Sequence, residues 1–298
     1  MTEKTISDLL WVTISAGLVF LMQAGFLCLE TGLTRSKNNI NVAIKNLADL
    51  SIATVLFWSI GYAFMFGDSW GGVVGLDRWS PNFGESDLWE SVFFLFQVML
   101  CATAVTIVSG AVAERVRFIR YLAISALVAV VIYPVFGHWA WNGIDAEMSV
   151  GWLAQLGFVD FAGATVVHSV GGWVGLAVLL IVGPRNGRFL PDGSDRKIPG
   201  ANIPIATLGI LLLYIGWMGF TSGSNYTFDA DIVTIIINTV MAGASGLMVT
   251  LALRAVARQE TNVRLVMNGC LAGLVSISAV AHAIPTLYAI LIGAAGGL

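Results

Sequence analysis

Over 298 residues the chain carries 57% hydrophobic and only 11% charged side chains, with a mean hydropathy of +0.83 and a formal net charge of -3. A water-soluble domain carries about a quarter charged residues, so this composition excludes one and places the chain in a lipid bilayer. The near-neutral charge gives no support to a nucleic-acid partner and makes the basic residues topology signals rather than a binding patch.

The opening segment MTEKTISDLLWVTISAGLVF has Glu3, Lys4 and Asp8 ahead of its apolar run. Without a positive leading region it reads as a retained first span, not a signal peptide. About 20 predominantly apolar residues are needed to cross a hydrocarbon core of about 30 Å. By that rule eight spans are predicted, near 9–29, 49–67, 91–113, 118–141, 161–182, 202–223, 232–253 and 264–284. A ninth begins after Pro285, but TLYAILIGAAGGL has 13 residues, about 20 Å of helix, too short to cross. An apolar terminus left inside hydrocarbon is costly. The expectation is therefore a single membrane domain over 1–298, truncated within its ninth span and the front of a longer protein. Cys28, Cys101 and Cys270 fall inside apolar segments without CxxC or metal spacing, which predicts core residues and no disulfide framework.

Charge alternates between the connections. Arg35, Lys37 and Lys45 follow span one; Arg115, Arg117 and Arg120 follow span three; Arg185, Arg188, Arg196 and Lys197 follow span five; Arg254, Arg258 and Arg264 follow span seven. Only Lys4 and Arg78 remain for the other side. The positive-inside rule then puts the N-terminus outside. The outer connections carry Asp68, Glu85, Asp87, Asp145 and Glu147 with Trp70, Trp79, Trp89 and Trp152, which reads first as an interfacial aromatic belt.

DFAGATVVHSVGG opens span five, with Asp160 at the outer mouth and His168 eight residues on, about 12 Å deeper along the axis. Asp160 precedes a helix, and capping through the N–H groups of Ala162 or Gly163 alone accounts for it. His168 is spaced with Ala164, Gly171, Gly172 and Gly175, a small-residue stripe that turns the imidazole into the bundle. Both a satisfied structural histidine and a pore or ligand role fit that position. His138 and His282, near outer ends, are weaker candidates because water can satisfy them. In span six Trp217, Phe220 and Ser224 share one helix face, as Phe96 and Leu100 do in span three with Gln97 beside them. Such stripes are usually packing. GHWAWNG adds Trp139 and Trp141, ordinarily belt residues. No nucleophile pair, phosphate loop or metal cluster is present in the sequence, so neither an enzyme nor a cofactor is expected.

Together, MQAGFLCLETGLTRSKNNINVAIKN, SGAVAERVRF, GHWAWNG, DFAGATVVHSVGG and GWMGFTSGSN resemble, in order, motifs of the ammonium transporter family related to the Rhesus proteins. The resemblance implies an all-α polytopic fold of eleven helices in two inverted repeats, of which about eight and a half are present, a cell-membrane location (the inner membrane in a bacterium) and a homotrimer. It also implies roles. Trp141 and Ser224 would form an outer vestibule recruiting ammonium, Phe220 the gate below it, His168 the first of two pore histidines, and Asp160 a carboxylate shaping the vestibule from behind. Phe96 and Trp217 would line the same path. An aromatic face attracts a cation and a serine oxygen accepts its N–H, while an apolar constriction favours neutral ammonia. Leu100 stands where the family has a second gate phenylalanine, which reduces the aromatic stack. The tenth helix with its histidine, and the tail on which nitrogen-regulatory signal proteins dock, are not in the sequence. The leading function is ammonium or ammonia transport. The alternatives are an ammonium sensor feeding a fused signalling domain, and an unrelated multi-span protein in which His168 is structural.

Overall fold

The computed structural model describes residues 4–83, 87–144, 149–260 and 262–298. Glu3, Glu85, Asp145 and Glu147, read above as flanking or outer acidic positions, lie outside them. Among the described residues, seven helices are long and apolar enough to cross a membrane: α1 Ile6–Leu33, α2 Ser36–Phe66, α3 Leu88–Val112, α4 Phe118–Trp141, α5 Ala164–Val182, α6 Ile203–Gly223 and α7 Asp231–Val256. Two shorter apolar helices come after them, α8 Val263–Ile277 and α9 Thr286–Gly297. The chain is a multi-pass membrane protein.

Local chemistry sets the ends. Thr5 caps α1 in a capping box with Asp8, Asp87 caps α3 through the N–H of Trp89, and Asn202 caps α6 through that of Ile205, with Pro204 in its first turn. Three spans contain π-helical turns, at Phe57–Gly61, Val128–Ile132 and Ala164–Ser169, each inserting one residue and rotating the remainder of its helix.

Two boundaries depart from expectation. Span two starts ten or more residues earlier than 49, because Lys45 is not in a loop: it lies on the helix, 2% exposed, with Nζ donating to the Val116 carbonyl at 2.8 Å. Span eight does not reach 284. Its helix stops at Ile277, and the freed carbonyls of Ser278 and Ala279 accept the N–H groups of Ala162 (2.9 Å) and Phe161 (3.1 Å) before α5. Asn238 donates to the carbonyls of Ala281 and Ile284, both at 2.9 Å, so the turn is satisfied inside the bundle.

The most extensive helix pair is α1 with α6. Lipid supplies no hydrophobic drive between helices, so close backbone approach has to hold them. At Gly209 a Cβ would stand 2.5 Å from the Leu29 nitrogen and 2.6 Å from the Gly25 carbonyl oxygen, so the seam admits only glycine there. Around this pair, α3 fills the centre of the bundle and packs on α1, α2 and α5.

The basic connections share one end. Glu114, with its side chain fully buried, is bound by Arg35 Nε at 2.7 Å and Arg185 at 3.1 Å, and by Asn38. That joins the connections after α1, α3 and α5, as the charge alternation requires. Cys28, Cys101 and Cys270 are all free.

Candidate functional site

His168 sits in the π-turn that begins α5, 7% exposed. Gly163 starts that turn at φ +95°, a left-handed conformation that favours glycine, and a Cβ there would press on Val167 and on the Trp141 ring. Asp160 organises the turn. Its Oδ1 accepts from the N–H groups of Gly163 (3.0 Å) and Ala164 (2.9 Å), and its Oδ2 from Thr165 and Val166, both at 2.8 Å. Of the two donors expected, Gly163 is engaged and Ala162 is not, since Ala162 donates to the Ser278 carbonyl. Four orphan N–H groups at a helix N-terminus are thus met by one buried carboxylate. The Asp160 carbonyl in turn accepts from Trp141 Nε1 at 2.7 Å, fixing an indole that is 2% exposed and therefore no belt residue.

The small-residue stripe divides in the structure. Gly171 and Gly175 face α3, where Cβ atoms would meet Ala104, Ile107 and Ala111 at 2.8 Å, whereas Gly172 faces open space. The π-turn shifts the register, so three- and four-residue spacing from His168 does not describe one face. Instead the imidazole looks toward α6. It stacks on Trp217 with centroids 4.7 Å apart and planes 16° from parallel, and meets Phe220 at 5.2 Å and 39°. Trp217 is anchored by Nε1 donating to Ser278 Oγ at 2.9 Å. His168 Nε2 is buried and has no hydrogen-bond partner.

Phe96, Leu100 and Phe220 are all fully buried. Phe96 meets Tyr226 edge-on at 6.0 Å and packs against Gly223 beside Ser224, while Gln97 donates to the Tyr226 hydroxyl at 2.8 Å. Ser224 donates back to the Phe220 carbonyl at 3.0 Å, leaving its lone pairs to accept from another donor. The structure therefore brings together His168, Trp217 and Phe220, and separately Trp141 and Asp160; Phe96 and Ser224 meet around Gly223. Trp89 is a correction to the aromatic belt: it is 7% exposed, packed on Phe93 and Tyr226, with Lys4 Nζ 4.7 Å over its ring. Of the other histidines, His138 is held by protein, while His282 is exposed, as its place near an outer end predicts. His138 is fully buried, bonded to Ser69 Oγ (2.8 Å) and the Met65 carbonyl (3.0 Å), and His282 stacks on Phe161 at 4.1 Å.

Beyond His168 a cavity of about 460 Å³ runs toward the basic end, lined by Trp217, Ile107, Leu271 and Val275 and reaching Thr34 and Arg185. Next to it lies a polar network that sequence reading misses. Glu30 accepts from Asn46 and Ser109, Asp49 from Tyr121, and Gln23 from Thr106. The signal for it is present in LCLETGL, an acid within an apolar helical run, but its partners come from three other segments. At the basic end, burial pushes the Glu114 carboxyl up, and the bonds from Arg35 and Asn38 with the charge of Arg185 outweigh that, leaving it below the usual carboxylate range.

Comparison with known proteins bears on the same residues. Residues 10–298 match the model of the Ammonium Transporter Family. A Synechocystis sp. protein whose name gives it as a candidate ammonium transporter is 51% identical over 97% of this chain and 54% of its own length. The ammonium transporter Amt2 of Archaeoglobus fulgidus is 39% identical over 97% of this chain and 63% of its own. The chain thus spans about half to two thirds of the length of these relatives. Among solved structures, a protein titled "Sensor Amt Protein" superposes with a TM-score of 0.94 at 42% identity, covering 97% of this chain and 72% of that one. Saccharomyces cerevisiae Mep2 shares the fold, with a TM-score of 0.87 at 24% identity over 99% of this chain and 68% of its own. A match over nearly the whole chain, in a bundle with a buried histidine on an aromatic platform, makes the chain a member of the ammonium transporter family.

Proposed function

We propose that the protein moves ammonium nitrogen across the cell membrane, with ammonium recruited at an outer vestibule containing Trp141 and Ser224 and ammonia passing His168 below Phe220. One observation carries this reading: an imidazole inside the bundle, stacked on Trp217 and meeting Phe220, whose Nε2 is unpartnered and whose far side opens on a cavity. A neutral imidazole can accept from and donate to ammonia, and the surrounding apolar wall makes carrying a full charge costly. Asp160 acts as a positioning residue, holding Trp141 and the turn that presents His168. The N-terminus lies outside, a reading supported by the basic-residue alternation, and the protein works as a homotrimer in the bilayer, a reading supported by family membership alone. A nitrogen-regulatory signal protein or a fused signalling domain would be its partner on the cytoplasmic side.

The second reading is an ammonium sensor. It is favoured by the 42% identity to a sensor of this family and by Leu100, which withholds one aromatic ring from the gate. Uptake of methylammonium into proteoliposomes tests the two: transport predicts saturable flux, and sensing predicts binding without flux. Absence of both in a correctly assembled protein would sink the ammonium reading altogether.

A further inference from the structure

Glu30 lies near the basic end of α1, 6% exposed among α1, α2 and α3. Its Oε2 accepts from Asn46 Nδ2 at 3.0 Å and from Ser109 Oγ at 2.9 Å. Its Oε1 is equally buried and has no partner. That oxygen faces Gly110, where a methyl group would stand 3.4 Å from it. Both Glu30 and Gly110 line the cavity that begins at His168 and Trp217. Three residues lining this cavity thus carry a buried polar atom without a hydrogen-bond partner: His168 Nε2, Glu30 Oε1 and, at the basic end, Arg185 Nε.

A carboxylate oxygen inside a bilayer with nothing to pair it is costly, and such groups by default mark an ion or substrate path. The nearby cations do not supply the pairing. Neither bonds Oε1: Lys45 Nζ donates to the Val116 carbonyl at 2.8 Å, and Arg185 pairs with Glu114 at 3.1 Å. Behind Glu30, the Asp49 carboxylate is met by Tyr121 and by Thr106, both neutral donors. The rest of the wall mixes Leu29, Leu33 and Ile107 with the polar Thr34, Thr106 and Asn268. A metal cation such as sodium or potassium is held by a shell of several oxygens, whereas a cation bearing N–H donors needs only an acceptor for each strong bond, which Oε1 supplies.

From this geometry we infer that Glu30 is a cation site of the inner cavity, taking a small hydrogen-bond-donating monovalent cation of the ammonium or alkylammonium class through Oε1. The inference rests on the transport reading above and adds to it a holding place on the far side of His168 from the outer vestibule.

Infrared difference spectra of the protein in lipid nanodiscs, recorded on addition of ammonium chloride and separately of sodium or potassium chloride, test it. A saturable change in a carboxylate band is expected with ammonium and not with the metal salts. It disappears in Glu30→Gln, which retains an acceptor for Asn46 and Ser109. In Gly110→Ala, which adds a methyl at ordinary contact distance without touching the charge, at least tenfold more ammonium is needed. A band change that survives Glu30→Gln, or that sodium produces equally, overturns the inference. Methylammonium uptake by the same preparation separates the two claims. Uptake with no ammonium-dependent carboxylate change leaves transport standing and removes the Glu30 site; the carboxylate change without uptake does the reverse.

Discussion

His168 and Trp217 form one unit across two helices, the imidazole of α5 lying 4.7 Å from the indole of α6 and 16° from parallel. The indole is itself pinned by Ser278 at 2.9 Å, just past the end of α8. Three spans thus fix the orientation of one ring. Trp217→Phe keeps a stacking face and loses the bond to Ser278, which costs about 1 kcal/mol. Trp217→Ala removes the platform and costs about 3–5 kcal/mol. Thermal unfolding in detergent should rank wild type above Trp217→Phe above Trp217→Ala, with methylammonium uptake falling in the same order; an uptake rate unchanged in Trp217→Ala would show that the stack does not serve the path.

Asp160 accepts four backbone N–H bonds, and an amide cannot replace it. Asn at this position keeps one accepting oxygen and turns an NH2 group toward the N–H groups of Thr165 and Val166. Asp160→Asn should destabilise the protein by about 2–4 kcal/mol through donors left buried and unmet. Melting temperature should fall accordingly, whereas an unaltered melting temperature would contradict the organising role.

The ion cluster at the basic end gives a pH dependence with a definite sign. The folded-state pKa of Glu114 is depressed, so its contribution to stability is complete above the unfolded value of about 4.3 and is lost as pH falls through the folded value. Melting temperature should therefore drop on acidification below about pH 4.3, and Glu114→Gln should be less stable at neutral pH and lack that part of the drop. An identical acid limb in wild type and variant would remove Glu114 from the account.

At the seam of α1 and α6, backbone rather than side chain limits what fits. Gly209→Ala places a methyl 2.5 Å from the Leu29 nitrogen, where neither helix can yield locally. The cost should be about 1–3 kcal/mol or more, with reduced yield of folded protein. Gly172→Ala, whose methyl meets nothing within 4 Å, is the control expected to be neutral.

Much of this arrangement is legible in the sequence because a bilayer imposes one length and one polarity on every span. Hydropathy locates the nine apolar helical segments found among the described residues, and the basic residues correctly group the connections that Glu114 ties together. Features that depend on partners escape it. Lys45 looks like a loop residue because charge ends a hydropathy window, yet a carbonyl from another segment and the Tyr121 ring 5.3 Å away let it lie on α2. Span eight looks complete to 284 because its residues are apolar, but its chain unwinds after Ile277 to supply carbonyls to the turn before α5. The stripe from Ala164 to Gly175 fails for a local reason: a π-turn changes the period on which it is counted. For the site itself, the pairing of His168 with Trp217 joins residues 49 positions apart, which no local spacing displays. Glu30 escapes notice because Asn46 and Ser109 are its partners only once three helices have packed.

Replacing His168 by Ala in the whole protein and measuring methylammonium uptake in proteoliposomes, beside melting temperature and oligomeric state, tests the central claim most directly. The account predicts at least a tenfold loss of uptake in a protein that still assembles and melts within a few degrees of wild type. Wild-type uptake by a folded His168→Ala protein would contradict it and return the histidine to a purely structural role.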